Sequence, residues 1–302
     1  MGPTASGKTD LAIKLCQIFP FSIVSVDSGL IYKGMDIGTA KPTLEDQKIA
    51  PHKLIDLLDP SQYYSVANFY HDVLIEIEKI VRMNRIPLLV GGSMLYFKVL
   101  LEGLYLLPEK NDDIRLRIKK YADYFGWNVI YQYLKKIDFQ YVSKIHPNDV
   151  YRLTRALEIF LITGKKIKDH VKKKTFYDYI QICIFPENNS LLFDRIKKRF
   201  MHMLDLGFEE EVHSFYKRED LHNNLPSMRC VGYKQMWEYF SGKLKYHEMI
   251  HQAILATKTL AKHQITWLKK WKNIDLIIDD TNMNQAFKKV SNFIRHINII
   301  KT

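Results

Sequence analysis

An α/β fold, with a mainly parallel sheet wrapped by helices, is what this 302-residue sequence predicts, and three features predict it. A glycine-rich turn of the form G-x-x-x-x-G-K-[ST] opens the chain. Short apolar or β-branched runs alternate behind it with amphipathic helical patterns. From about residue 112 a charged, aromatic, helix-patterned stretch interrupts that alternation, which predicts a helical domain inserted into the core.

The elements follow in order. Residues 10–19 carry apolar side chains at helical spacing (Leu11, Ala12, Leu15, Ile18, Phe19). Pro20 and Phe21 follow, and Ser22–Val26 reads as a short strand. A helix is expected from about Ser65 to Met83, with Ser65 as its cap and Val66, Phe69, Tyr70, Val73, Ile77 and Ile80 on one face. Ile86–Val90 is an apolar run ending in Gly91-Gly92, the pattern of a buried parallel strand. In the interruption, one helix starts at Asp112 (Ile114, Leu116, Ile118, Tyr121). Another begins after Pro147-Asn148-Asp149 and runs from Val150 to Ile162, where Gly164 stops it. Tyr179–Phe185 resumes a strand, and helices close the chain. The organisation predicted is a core of residues 1–111 and 178–302, with residues 112–177 as the insertion.

The opening turn, Gly2-Pro3-Thr4-Ala5-Ser6-Gly7-Lys8-Thr9, matches every fixed position of a phosphate-binding loop. Its glycines let backbone N–H groups converge on phosphate oxygens, and the helix expected from Lys8 adds its positive end. Lys8 supplies a point charge, and the Thr9 hydroxyl can hold magnesium. The core is therefore expected to be P-loop NTPase-like. Such a loop should follow a strand, yet only Met1 precedes it here: either the first strand is lost or the start lies upstream. Without that strand the sheet loses its central member, and Leu11 and Ile23 lose a packing partner.

Composition narrows the function. Net charge is +12, which favours a polyanionic partner such as nucleic acid, although drift toward Lys in an AT-rich genome gives the same excess. No apolar run approaches the roughly 18 residues of a membrane span, and a cytoplasmic protein is expected. The three cysteines, Cys16, Cys183 and Cys230, are widely spaced and read as buried apolar residues. Seven basic side chains between Lys165 and Lys174 read as a solvated, mobile segment. Trp267 and Trp271, four apart, read as core.

The chemistry remains open at this level. Nucleotide hydrolases add an Asp at the end of a second apolar strand, but Leu88-Leu89-Val90 ends in Gly91-Gly92-Ser93. The other strand ends in Asp27-Ser28, which places one carboxylate at the sheet edge where ligands bind in such folds. Asp27 can ligate magnesium or act as a base, and spacing does not decide between them.

The blocks Gly2–Thr9, Ser25–Ser28, Tyr32–Pro42, Pro87–Tyr96, His146–Asp149, Arg229–Trp237 and Ala261–Leu268 together resemble the bacterial type of tRNA dimethylallyltransferase, the tRNA isopentenyltransferase family. The resemblance runs through nearly the whole chain in order. It implies transfer of a dimethylallyl group from dimethylallyl diphosphate to N6 of adenosine at tRNA position 37, in tRNAs reading codons that begin with U. The implied diphosphate-binding residues are Gly2, Pro3, Thr4, Ala5, Ser6, Gly7, Lys8 and Thr9, with Thr9 holding Mg2+. Asp27 matches the family's general base, and Arg199 an arginine that clamps the pyrophosphate; Lys8 and Thr9 complete the implied catalytic set. Implied tRNA contacts are Asp27, Ser28, Gly29 and Leu30; Ser93, where the family commonly has Thr; Tyr151, Arg152, Leu153, Thr154 and Arg155; and Arg229, Cys230, Val231, Gly232, Tyr233 and Lys234. The implied partner is the anticodon stem-loop, the implied form a monomer, and the implied route a tunnel between the two domains. Bland readings compete: Asp27 as a turn cap, Arg199 on a solvated helix face, and Arg155 paired with Glu158. Three rival functions stay in view: an adenylate isopentenyltransferase acting on free nucleotides, a P-loop small-molecule kinase, and a catalytically dead RNA-binding remnant.

Overall fold

The computed structural model describes residues 1–296. The first half of the α/β core contains α1 (Lys8–Cys16), β1 (Phe21–Val26), α2 (Leu44–Ile49), β2 (His52–Lys53), α3 (Val66–Arg82), β3 (Ile86–Gly91) and α4 (Met94–Glu102). Next come β4 (Leu104–Tyr105), α5 (Asp112–Phe125), α6 (Trp127–Ile137), α7 (Phe139–Val142), α8 (Val150–Thr163) and β5 (Lys172–Lys173). The chain then runs through β6 (Ile182–Phe185), α9 (Asn189–Asp205), α10 (Phe208–Tyr216), α11 (Tyr233–Phe240), α12 (Tyr246–Lys269), β7 (Leu276–Asp279) and α13 (Met283–His296).

Local chemistry sets these boundaries. Gly7 adopts φ 77°, which turns the loop into α1. At α3 the Ser65 side chain accepts from Asn68 N–H while Asn68 Oδ1 accepts from Ser65 N–H, a reciprocal cap of the kind that contributes about 1 kcal/mol. Gly164, at φ 66°, ends α8 as predicted. Two expected spans shorten. The first helix closes at Cys16, and the strand expected from Tyr179 begins only at Ile182. There the Asp275 carboxylate takes the Gln181 N–H at 2.7 Å before a neighbouring strand can.

The chain divides into two compact units: Met1–Val99 with Tyr177–Thr302, and Leu100–Phe176. The first crossing lies twelve residues earlier than the boundary read from sequence. Residues 100–111 belong with the smaller unit because Leu104-Tyr105 pair with Lys172-Lys173 and Asn111 N–H donates to Glu158. That pairing also orders part of the basic segment predicted to be mobile. Ile167 packs on the smaller unit's core, and Lys172-Lys173 form an edge strand.

In the larger unit the order β2-β1-β3 is parallel throughout, with Phe21 opposite Ile86 and Val26 opposite Gly91. A second parallel pair, β6-β7, sets Ile182 opposite Leu276. Met1 adjoins β6, donating to Ile182 O at 2.7 Å and accepting from Ile184 N at 2.8 Å. Leu11 and Ile23 keep packing partners. Leu11 is buried with Leu15, Phe21, Ile184 and Ile278, and Ile23 with Ala12, Ile13 and Ala50. The strands alternate with helices, so their carboxyl ends and the loop before α1 collect at one edge.

The smaller unit packs α5, α6, α7 and α8 around Ile118, Ile130, Leu134 and Leu153. At its centre Glu158, fully buried, accepts from Arg115 at 2.8 and 2.9 Å, from Arg155 at 2.6 Å and from Asn111 N–H at 2.8 Å. Burial pushes this carboxyl up, but the two arginines and the amide outweigh it and hold it at about 2. Among the described residues, no helix is long and apolar enough to cross a membrane.

Candidate active site

The loop before α1 is closed by its own residues. Pro3 O accepts from Ser6 Oγ at 2.9 Å and also from Lys8 Nζ. A side chain at Gly7 would strike Met283 Sδ at 2.8 Å, and φ +77° already favours glycine. Burial, followed by the nearby Arg199 charge, lowers Lys8 to about 8. Arg199, from α9, donates Nη2–H to Thr4 Oγ1 at 2.7 Å. Burial depresses its pKa too, with Asp27 opposing. Lys197 and Lys198 beside it are exposed, so Arg199 occupies the inner face of α9 rather than a solvated one.

Asp27 stands at the end of β1, where its Oδ1 accepts from Gly29 N–H at 2.8 Å in an Asx turn. The turn consumes one oxygen; among the described residues no hydrogen bond engages Oδ2. Ser93 follows β3 and donates its N–H to Val26 O at 3.2 Å, which sets the two strand ends side by side. Their approach is close enough that a Cβ at Gly91 would lie 2.0 Å from Val26 O.

A cavity of about 550 Å³ opens between these groups. Thr4, Asp27, Ser93 and Arg199 line it, and Tyr96, Met203, Leu260 and Trp267 give it an apolar wall. The predicted residues Ser28, Gly29, Arg229, Cys230, Val231 and Gly232 also border it. Arg229 is exposed, whereas burial beside Asp27 pushes the Cys230 thiol up to about 12, so it stays protonated and inert. Trp267, read from sequence as core, is 37% exposed and lines the cavity; α12 ends at Lys269, so Trp271 no longer shares its helical face. Trp271 is the partner that packs inward, donating Nε1–H to Gln181 Oε1 at 2.8 Å.

Other predicted residues lie elsewhere. Tyr233 is buried, and its hydroxyl donates to Glu211 at 2.5 Å, so its side chain is structural. Lys234 is exposed and Leu30 half-buried. On α8, Tyr151 is 72% exposed and Arg152 outward, but Leu153 is in the core. Thr154 bonds back to Val150 O at 2.7 Å, and Arg155 is committed to Glu158 and Pro108 O. The competing reading of Arg155 as a partner of Glu158 is the one observed, though inside the unit and not on its surface.

Two groups escaped sequence reasoning. Gln264 Oε1 accepts from Thr4 N–H at 2.8 Å while its Nε2 donates to Gly92 O at 3.0 Å. Glu211 accepts from the N–H groups of Asp36, Ile37 and Gly38 at 2.9, 2.7 and 3.1 Å. Gln264 lay inside the Ala261–Leu268 block, but its partners are more than 170 positions away and no local pattern announces them.

An α/β core with a phosphate loop at the sheet edge, two half-buried cations and one facing carboxylate defines a protein that handles a phosphorylated substrate in a cleft. Comparison with known proteins narrows that class. The family model described as IPP transferase matches residues 30–271, and the chain belongs to that family; it is a prenyl transferase. The solved full-length tRNA isopentenylpyrophosphate transferase of Bacillus halodurans is similar, at 32% identity and a TM-score of 0.72, covering 98% of this chain and 94% of that one. The tRNA delta(2)-isopentenylpyrophosphate transferase of Staphylococcus epidermidis matches at 29% identity and 0.70, covering 99% and 98%. A eukaryotic dimethylallyltransferase acting on tRNA matches at 27% identity and 0.79, covering 100% of this chain and 79% of that one.

Proposed function

We propose that the protein transfers the dimethylallyl group of dimethylallyl diphosphate to N6 of adenosine at position 37 of tRNA. The observation that carries this reading is electrostatic. Lys8 and Arg199 stand half-buried at the phosphate loop, Lys8 on Pro3 O and Arg199 on Thr4 Oγ1 at 2.7 Å, with desolvation lowering both pKa values, and Asp27 lines the same cavity as Thr4 and Arg199. Such a site has an excess of positive charge that a diphosphate relieves.

In this reading the diphosphate displaces Lys8 from Pro3 O and rests on the loop N–H groups, Lys8 and Arg199. The adenine amine enters beside Asp27. Its lone pair forms a bond to the first carbon of the prenyl chain as the carbon–oxygen bond to diphosphate breaks. The amine proton passes to the free oxygen of Asp27, and the electron pair leaves with pyrophosphate. The exocyclic amine is a weak nucleophile because its lone pair is delocalised into the ring, so proton removal during attack matters. The apolar wall of Met203, Leu260 and Trp267 suits the prenyl chain and keeps water off a carbon that would otherwise be hydrolysed.

Magnesium fits the donor set. Among the described residues no group of three or more His, Cys, Asp or Glu gathers to hold an ion. An ion here relies on hard oxygens, the Thr9 hydroxyl with the diphosphate itself, which is how magnesium is commonly held. When bound it would neutralise charge on the leaving group. The exposed Tyr151, Arg152, Arg229 and Lys234, with the net charge of +12, support an RNA acceptor. We read residues 112–177 as the part that holds the anticodon arm, and the working form as a cytoplasmic monomer.

The test offers three substrates to one preparation: an anticodon stem-loop with labelled dimethylallyl diphosphate, AMP with the same donor, and ATP with small-molecule acceptors. Prenyl-adenosine in the stem-loop alone is expected. Product on AMP would replace this reading by nucleotide prenylation, and phosphorylation by ATP would replace it by a kinase.

A further inference from the structure

We infer that Gln264 is a positioning residue that sets the separation between the diphosphate loop and Asp27, an inference resting on the transfer reaction proposed above. Gln264 projects from α12 into the cavity wall, and its amide bridges the two halves of the site. Its carbonyl holds the Thr4 N–H at 2.8 Å, and its NH2 holds Gly92 O at 3.0 Å. Both ends then reach the reacting groups in one further step. Thr4 is the residue whose hydroxyl receives Arg199 at 2.7 Å. Gly92 precedes Ser93, whose N–H is tied to Val26 O, the residue before Asp27.

The geometry demands an amide. Thr4 N–H needs an acceptor and Gly92 O needs a donor, and the terminal amide of Gln264 presents both on one planar group. Asn is shorter by one methylene and cannot span the gap. The Thr4 N–H is also withdrawn from the set of loop amides available to phosphate, so its role is to anchor the loop. A Cβ at Gly92 would lie 2.4 Å from Gln264 Nε2, so a side chain there would push the amide off its contact. The bridge therefore fixes Arg199 and the P-loop on one side and the β1 and β3 ends on the other, and small displacements between such groups cost rate steeply.

The experiment compares wild type, Gln264→Ala and the isosteric Gln264→Glu in the full chain. Each is measured for pyrophosphate affinity by calorimetry, for KM and kcat with dimethylallyl diphosphate, for stem-loop affinity, and for thermal midpoint. The glutamate keeps shape and the Thr4 contact, but sets a carboxylate against Gly92 O and beside the incoming diphosphate. We expect both variants to bind pyrophosphate roughly tenfold or more weakly and to lose kcat by about a hundredfold. The glutamate should be at least as impaired as the alanine, and stem-loop affinity should be unchanged. A harmless Gln264→Glu, a loss confined to thermal midpoint, or a loss confined to stem-loop affinity would each overturn the inference. Wild type that fails to bind pyrophosphate would instead sink the phosphate-loop reading itself.

Discussion

At the scale of single residues, the account predicts how charge at the site responds to substitution and pH. Replacing Asp27 by Ala should lower transfer by about a hundredfold to ten-thousandfold, the usual range for a lost general base, while stem-loop binding persists. A filter-binding assay run beside the turnover assay separates the two. Lys8 is lowered to about 8 in the free protein by burial and by Arg199. A bound diphosphate stabilises its charged form and raises that pKa. The Lys8 contribution to pyrophosphate binding should therefore be complete below pH 8 and fade as pH rises through 8, with Lys8 taking up a proton on binding above that value; calorimetry of wild type against Lys8→Ala in buffers of different ionisation enthalpy separates it from the ligand's own ionisation. The residues of the P-loop were legible because their roles are local: each glycine and the Lys-Thr pair act within eight positions of chain. Gln264 and Glu211 were not, because their partners are distant in sequence and a lone Gln or Glu on a helix resembles any solvated side chain.

At the scale of elements, one contact inside each unit bears on that unit's stability. A Cβ at Gly91 would meet Val26 O at 2.0 Å, so Gly91→Ala must part β1 from β3 just where Asp27 and Ser93 emerge. A loss of roughly 3 kcal/mol is expected in urea unfolding, the upper end of ordinary overpacking. In the smaller unit, Glu158 is held at about 2 against an ordinary 4.5. Its contribution is thus complete above pH 4.5 and is lost as pH falls toward 2. Glu158→Gln should cost on the order of 3 kcal/mol by leaving Arg115 and Arg155 without their anion, with faster hydrogen exchange in α5 and α8. Helix starts and stops were readable where the capping residue acts within its own turn, through the Ser65 hydroxyl at one end of a helix and the left-handed backbone of Gly164 at another. Strand starts were less so: the strand after Tyr179 is shortened by Asp275, ninety-four positions from its hydrogen-bond partner Gln181.

At the scale of the whole molecule, the α/β order and the helical interruption were legible from the change in periodicity. The division at Val99 was not, because it depends on Leu104-Tyr105 finding Lys172-Lys173 across the helices between. Charge made RNA plausible but placed nothing, since an exposed Lys and a phosphate-binding Lys look alike in sequence. The placement predicts that Arg229→Ala, an exposed residue at the cavity mouth, lowers the salt dependence of stem-loop binding by a slope of about one and weakens all sequences alike. The central claim, that a carboxylate and a cationic loop meet across one cavity to join an adenine to a prenyl diphosphate, is tested most directly by single-turnover transfer. Enzyme, labelled dimethylallyl diphosphate and an unmodified anticodon stem-loop are mixed and quenched, for wild type and Asp27→Ala. We predict rapid labelling of the adenosine by wild type and almost none by the variant, with pyrophosphate still bound by both. Equal labelling by the two proteins would contradict the account.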